Sequence, residues 1–78
     1  MQTPTTRRLN GASLRVIREA YGVSLSDLAL RAQVSRPFVS LMESGARQPS
    51  AATLRQLADA LGVPIEAISY PNLAAPAA

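Results

Sequence analysis

The side chains able to do chemistry in this sequence are arginines, serines and a few amides, and their kinds narrow the chemistry at once. There is no histidine and no cysteine. That removes the usual general base, the commonest zinc ligand and any thiolate or disulfide. The acidic residues number 5 and stand apart along the chain, so a carboxylate-only active site is a poor fit. No cofactor, metal or small-molecule site is evident, and an enzyme is not expected. The 8 basic residues are all arginine, whose planar fork suits bidentate contacts to phosphate oxygens and to the O6/N7 edge of guanine. A GC-rich gene produces the same bias, so composition alone does not decide. What the residue types leave open is recognition of an anionic partner by a chain of net charge +3.

The arginine best placed for this is Arg36, in the stretch AQVSRPFVSLMESG (residues 32–45). Pro37 beside it would break a helix interior. If Ser35 is the N-cap, however, Pro37 falls in the first turn, where amides have no intrahelical acceptor and a fixed φ suits the helix. The proline then marks a helix start and puts Arg36 at its exposed N-terminus.

The elements that must position this stretch follow from a repeated pattern of apolar residue, capping residue and apolar stripe. Leu9-Asn10 opens a helix with Leu14, Ile17 and Tyr21 on one face and Gly22 as its stop. Val23-Ser24, with Ser24 and Asp27 as a capping box, opens a second with Leu25, Leu28, Ala29 and Ala32 inward. Val34-Ser35 opens the third, with Val39 and Met42 inward and Gly45 closing it. Pro49-Ser50 opens the fourth, with Leu54, Leu57, Ala58 and Leu61 on its stripe and Gly62 as its stop. A short fifth helix is expected from Pro64, burying Ile65 and Ile68 and ending before Pro71. No segment alternates as a strand does. The expected fold is all-α, a compact bundle of five short helices whose stability comes from packing their stripes together.

A chain of 78 residues is read as one small domain. Residues 1–8 read as a mobile arm carrying Arg7 and Arg8, residues 9–70 as the domain, and 71–78 as a loosely held tail. No apolar run approaches the roughly 20 residues needed to cross a bilayer, and no signal-peptide pattern opens the chain. A cytoplasmic protein without membrane contact is expected. Only Gln33-Val34-Ser35 separates the second and third helices, and two helices joined so tightly cross steeply as a helix-turn-helix.

Beyond spacing, the sequence resembles the phage-repressor/Cro-type helix-turn-helix family, the xenobiotic-response-element-like regulators with a lambda-repressor-like DNA-binding domain. The resemblance covers residues 13–69 and rests on LRVIREAYGVSLSDLA, VSRPFVSLMESGARQPS and TLRQLADALGVPIEAI, in the family's order and spacing. Arg18, Leu28-Ala29, Glu43-Ser44-Gly45, Pro49-Ser50 and the stretch Ala58 to Val63 match its pattern. The resemblance implies that helix 3 (about 35–44) enters the DNA major groove and that Arg36, Pro37, Ser40 and Leu41 face base edges. Arg36 would take a guanine, or alternatively a phosphate. Pro37 and Leu41 could only touch thymine methyls or exclude water. Backbone contacts are implied for Ser24, Ser26, Arg47, Gln48 and Ser44, with Arg7, Arg8 and Arg15 adding phosphate contacts. The family also pairs the positions of Arg18 and Glu43, implying a structural ion pair between helices 1 and 3. Phe38 either packs against helix 2 or covers a phosphate, and packing is favoured.

Two residues depart from the family pattern. Leu25 stands where a polar DNA-touching residue is usual, and it either packs or touches a sugar. Gln33 stands where the turn usually has glycine, so an unchanged turn puts it at positive φ at a cost of order 1 kcal/mol.

The expected function is a sequence-specific double-stranded DNA-binding transcriptional regulator, repressor-like and bacterial or phage in type. A homodimer on a palindromic operator is expected because one such domain reads few base pairs. Tyr70 and Leu73 are the dimerisation candidates, whereas Ile65 and Ile68 are read as closing the core. The alternative is a protein-interaction module on the same fold, such as an antitoxin subunit or a bridging factor.

Overall fold

A computed structural model describes residues 7–72. In chain order these form strand β1 (Arg7–Leu9), helices α1 (Gly11–Ala20), α2 (Leu25–Ala32), α3 (Arg36–Ser44) and α4 (Ala51–Leu61), a 3₁₀ turn (Ile65–Ala67), and strand β2 (Ser69–Pro71). Each α-helix begins at a side chain that accepts from an otherwise orphaned amide three residues on. Asn10 accepts from Ser13, Ser24 from Asp27, Ser35 from Phe38 and Ser50 from Thr53, at 3.0–3.2 Å. Such a cap is worth about 1 kcal/mol, a real share of the stability of a domain this small. Pro37 lies in the first turn of α3 behind the Ser35 cap, so it removes no ladder bond.

The core gathers the inward stripes of all four helices. Leu14, Leu28, Val39, Met42, Leu57 and Ile68 are fully buried, with Leu9, Val23, Leu54 and Leu61 close behind. Helix α2 packs on α3 and α4, and α1 packs on α3. Gly11 marks the tightest of these contacts. A Cβ there would stand 2.3 Å from the Met42 carbonyl oxygen and 2.7 Å from that of Glu43, so only glycine lets α1 start against the end of α3. None of the helices is long and apolar enough to cross a membrane.

Three expectations are corrected. The described residues form four α-helices, because the expected fifth is a single 3₁₀ turn. Ser69 Oγ donates to the Ile65 carbonyl at 2.5 Å, and the following residues leave the helix to pair as a strand. That strand was not expected at all: β2 pairs antiparallel with β1, in the register Arg7↔Pro71, Arg8↔Tyr70, Leu9↔Ser69. Arg7 and Arg8 therefore belong to a two-stranded ribbon, while residues 1–6 and 73–78 lie outside the described residues. Finally, Tyr21 is the C-cap of α1. The helical face it was assigned to ends one residue earlier, and it is 58% exposed.

Candidate nucleic-acid interface

The helix pair α2–α3 is set by its turn. Gln33 sits at φ 63°, ψ 41°, the only non-glycine positive φ among the described residues. Its own amide donates to the Leu30 carbonyl and that of Val34 reaches back to Ala29, closing the last turn of α2 as a glycine would. The left-handed geometry is kept without glycine.

Helix α3 is then divided lengthwise. Its inner side carries Val39 and Met42 in the core and Glu43 in an ion pair with α1. Arg18 Nε donates to Glu43 Oε2 at 2.6 Å and its Nη2 to Oε1 at 3.1 Å. The third branch, Nη1, donates to the Val23 carbonyl at 2.9 Å. Arg18 is only 8% exposed, yet every branch of its guanidinium has a partner, as a buried charge requires. The hydrogen-bonded Glu43 carboxylate raises the Arg18 pKa against the opposing effect of burial. One arginine thus ties α1, the α1–α2 turn and α3 into a single orientation.

The outer side of α3 carries Arg36, Pro37, Ser40 and Leu41, all exposed. Among the described residues their side chains enter no hydrogen bond or ion pair. A shallow groove of about 190 Å³ runs between Leu25, Arg36, Pro37 and Ser40. A second of about 270 Å³ continues from it, lined by Arg15, Arg18, Leu25, Ser40, Glu43 and Ser44. Leu25, half buried against the core, and Ser40 line both. The structure therefore brings together Arg15, Leu25, Arg36, Pro37, Ser40 and Ser44 on one face.

Several other candidates have internal partners. Arg15 Nε meets Glu19 at 3.1 Å, but both side chains are more than half exposed, and a pair of that kind is worth little. Ser24 Oγ is the α2 cap, while Ser26 is exposed. Ser44 Oγ donates to the Leu41 carbonyl at 2.9 Å, so its proton is already placed. Arg7, expected in a mobile arm, is held by Ser69: its Nε donates to Oγ at 2.7 Å and its Nη2 to the carbonyl at 3.1 Å. Arg8 is exposed on β1. Gln48, expected to face a sugar–phosphate backbone, has its amide on Leu9 instead: Oε1 accepts from the Leu9 amide at 2.8 Å and Nε2 donates to its carbonyl at 3.1 Å. Nothing in its local sequence signalled this, because the partner is backbone. Arg47 is exposed, with its guanidinium carbon 6.0 Å from the centre of the Phe38 ring. Phe38 packs against the core and offers that ring as a cation–π platform. Tyr70 is 45% exposed on β2, and Leu73 lies outside the described residues. Among the described residues no cluster of acidic side chains could hold a metal ion.

The helix-turn-helix family profile matches residues 14–68. The chain is 45% identical over 58 residues to an uncharacterized HTH-type transcriptional regulator of Mycobacterium tuberculosis, covering 74% of this chain and 41% of that protein. It thus spans about two fifths of the length of the curated relatives it first matches. Among solved structures it is similar to the restriction-modification controller protein C.AhdI from Aeromonas hydrophila, with a TM-score of 0.72 and 33% identity over 73% of this chain and 86% of that one. It is also similar to the master regulator for biofilm formation SinR in complex with DNA, with a TM-score of 0.69 and 29% identity over 74% and 94% of the two chains.

Proposed function

The chain belongs to the helix-turn-helix family, and from that membership we propose that it is a sequence-specific double-stranded DNA-binding transcriptional regulator, repressor-like, acting in the cytoplasm. The observation that carries this reading is the division of α3. Its inner side is fixed by Met42, Val39 and the Arg18–Glu43 pair, while its outer side presents Arg36, Pro37, Ser40 and Leu41 with no internal partners. A rigid helix with an unspent face is what major-groove insertion needs.

In this reading α3 lies in the major groove with its N-terminal end toward the bases. Arg36 donates its fork to guanine O6 and N7, a pairing worth about 1–3 kcal/mol of discrimination. Ser40 donates to a neighbouring base or phosphate, and Pro37, Leu41 and Leu25 supply apolar contacts. Arg47, the first-turn amides of α2 near Ser24 and Ser26, and Arg8 and Arg15 neutralise phosphates and set the register. Two copies on a palindromic operator, with half-sites about 34–36 Å apart, complete the site; Tyr70 is the exposed apolar residue offered for their contact. The similarity to a regulator solved with DNA supports the same partner here.

Selection of sites from random duplexes, followed by affinity against salt, tests the reading. A palindromic consensus bound at least about 10³-fold more tightly than random DNA is expected, with a steep negative log–log slope. Weak binding without a consensus overturns it and favours a protein-interaction module.

A further inference from the structure

The ribbon and the loop after α3 meet at Gln48, and the hydrogen bonding there has the form of a strand pairing. In an antiparallel pair, alternate residues turn their N–H and C=O toward the partner strand. The Asn10 amide donates to the Ile68 carbonyl at 2.8 Å, and Arg8 stands opposite Tyr70. The intervening Leu9 therefore directs its N–H and C=O away from β2, to the outer edge of the ribbon, while its side chain is buried. Such an edge group is satisfied by water, by another strand, or by a side chain. Here the primary amide of Gln48 takes both positions, at 2.8 and 3.1 Å. It accepts and donates in the spacing a third strand would offer.

Residue 47 is thereby held from both sides. Before it, the amides of Ala46 and Arg47 share the Leu41 carbonyl at 2.9 and 3.3 Å. After it, the next residue is fastened across the fold, 39 positions away in sequence. The Arg47 guanidinium rests over the Phe38 ring between these anchors. We infer that Gln48 is a positioning residue for DNA binding: by pairing with Leu9 it fastens the α3–α4 loop to the terminal ribbon and presents Arg47 to a phosphate. This rests on the regulator reading for its functional half. The side chain is suited to the task because a primary amide offers both an acceptor for the Leu9 N–H and a donor for its carbonyl.

The test uses Gln48→Met, which keeps length and charge but loses both bonds, and Gln48→Ala. Each is made alone and combined with Arg47→Ala in the full chain. Amide hydrogen exchange at Leu9 reads the pairing, and titration of the selected duplex at several salt concentrations reads the function. Faster exchange at Leu9 is expected in both Gln48 variants. The affinity loss should be about 3–10-fold with Arg47 present, the scale of one or two net hydrogen bonds, and the salt slope should shrink by about 2 as a phosphate contact is lost from each of the two copies. In the Arg47→Ala background neither quantity should move further. Equal losses with and without Arg47 overturn the inference, because Gln48 would then act on DNA itself. Unchanged affinity despite an exchanging Leu9 also overturns it, since the pairing would be structural only. A parent chain that binds no selected duplex overturns the regulator reading and the positioning role with it. That result is distinguishable because protection of Leu9 would still depend on Gln48.

Discussion

Replacing Gly11 by alanine sets two effects of opposite sign against each other. Gly11 is the first residue of α1, and alanine in a helix is favoured over glycine by about 0.5–1 kcal/mol. The new methyl, however, would stand 2.3 Å from the Met42 oxygen, 2.7 Å from the Glu43 oxygen and 3.0 Å from the Glu43 carbonyl carbon. Carbon–oxygen contacts are normally about 3.3 Å or longer, so the two backbones must part by about 1 Å. No flexible side chain can yield, because the obstructing atoms are backbone at the end of α3. That turn is itself pinned by the Glu43–Arg18 pair. Overpacking of this kind costs about 1–3 kcal/mol, so against that gain the net loss runs up to about 2.5 kcal/mol. For a domain this size that lowers the melting temperature by up to about 20 °C. Thermal melting followed by circular dichroism reads it, with exposed Ala12→Gly as the partner variant that reports propensity alone. A Gly11→Ala chain that melts clearly above the parent temperature would refute the claim that α1 and α3 touch through backbone here.

Gln33→Gly should remove the strain of a side chain at φ 63° and raise stability by up to about 1 kcal/mol; a lower melting temperature would mean the left-handed turn is not strained. Arg18→Leu should cost about 3–5 kcal/mol in urea denaturation by stranding a buried carboxylate, whereas Arg15→Ala, breaking an exposed pair, should cost less than about 1 kcal/mol. Equal losses would contradict the distinction drawn from burial. In the selected operator, deoxyuridine in place of thymine should weaken binding about 4-fold at the one position whose methyl meets the Leu25–Pro37 groove, the worth of one buried methyl group. If every position is indifferent, the groove reads no methyl.

What was legible in the sequence was local. The caps at Asn10, Ser24, Ser35 and Ser50 could be read because a cap and its amide lie three residues apart. The positive φ of Gln33 was implied by the family resemblance, whose turn usually has glycine at that position. The outward register of Arg36, Pro37, Ser40 and Leu41 follows once Val39 and Met42 are inward. What escaped was non-local or backbone-borne. Strands of three residues are too short to show alternation, and their partners lie about 60 positions apart, so the ribbon left no pattern. Gln48 pairs with peptide groups of Leu9, which carry no residue-type signature, and its amide looked equally fit for a phosphate. The apolar spacing of Ile65 and Ile68 suits a 3₁₀ turn as well as an α-helix, so the sequence pattern did not decide between them. Arg7 and Arg8 read as arm because nothing nearby foretold Ser69 as a tether.

The two sides of α3 also bear on how such a molecule can change. Cohesion is assigned to Val39, Met42 and Glu43, while Arg36, Ser40 and Leu41 enter no side-chain hydrogen bond or ion pair among the described residues, and Pro37 alone of the outward set also shapes the first turn. Altering the outward set leaves the interior untouched, so a duplicated copy could acquire a new address while keeping its fold, and the two copies would drift apart in target before they differed in durability. For an engineer the same separation makes Arg36, Ser40 and Leu41 a library site, with Pro37 kept to start the helix: variants there can be screened for what they bind with little effect on the core.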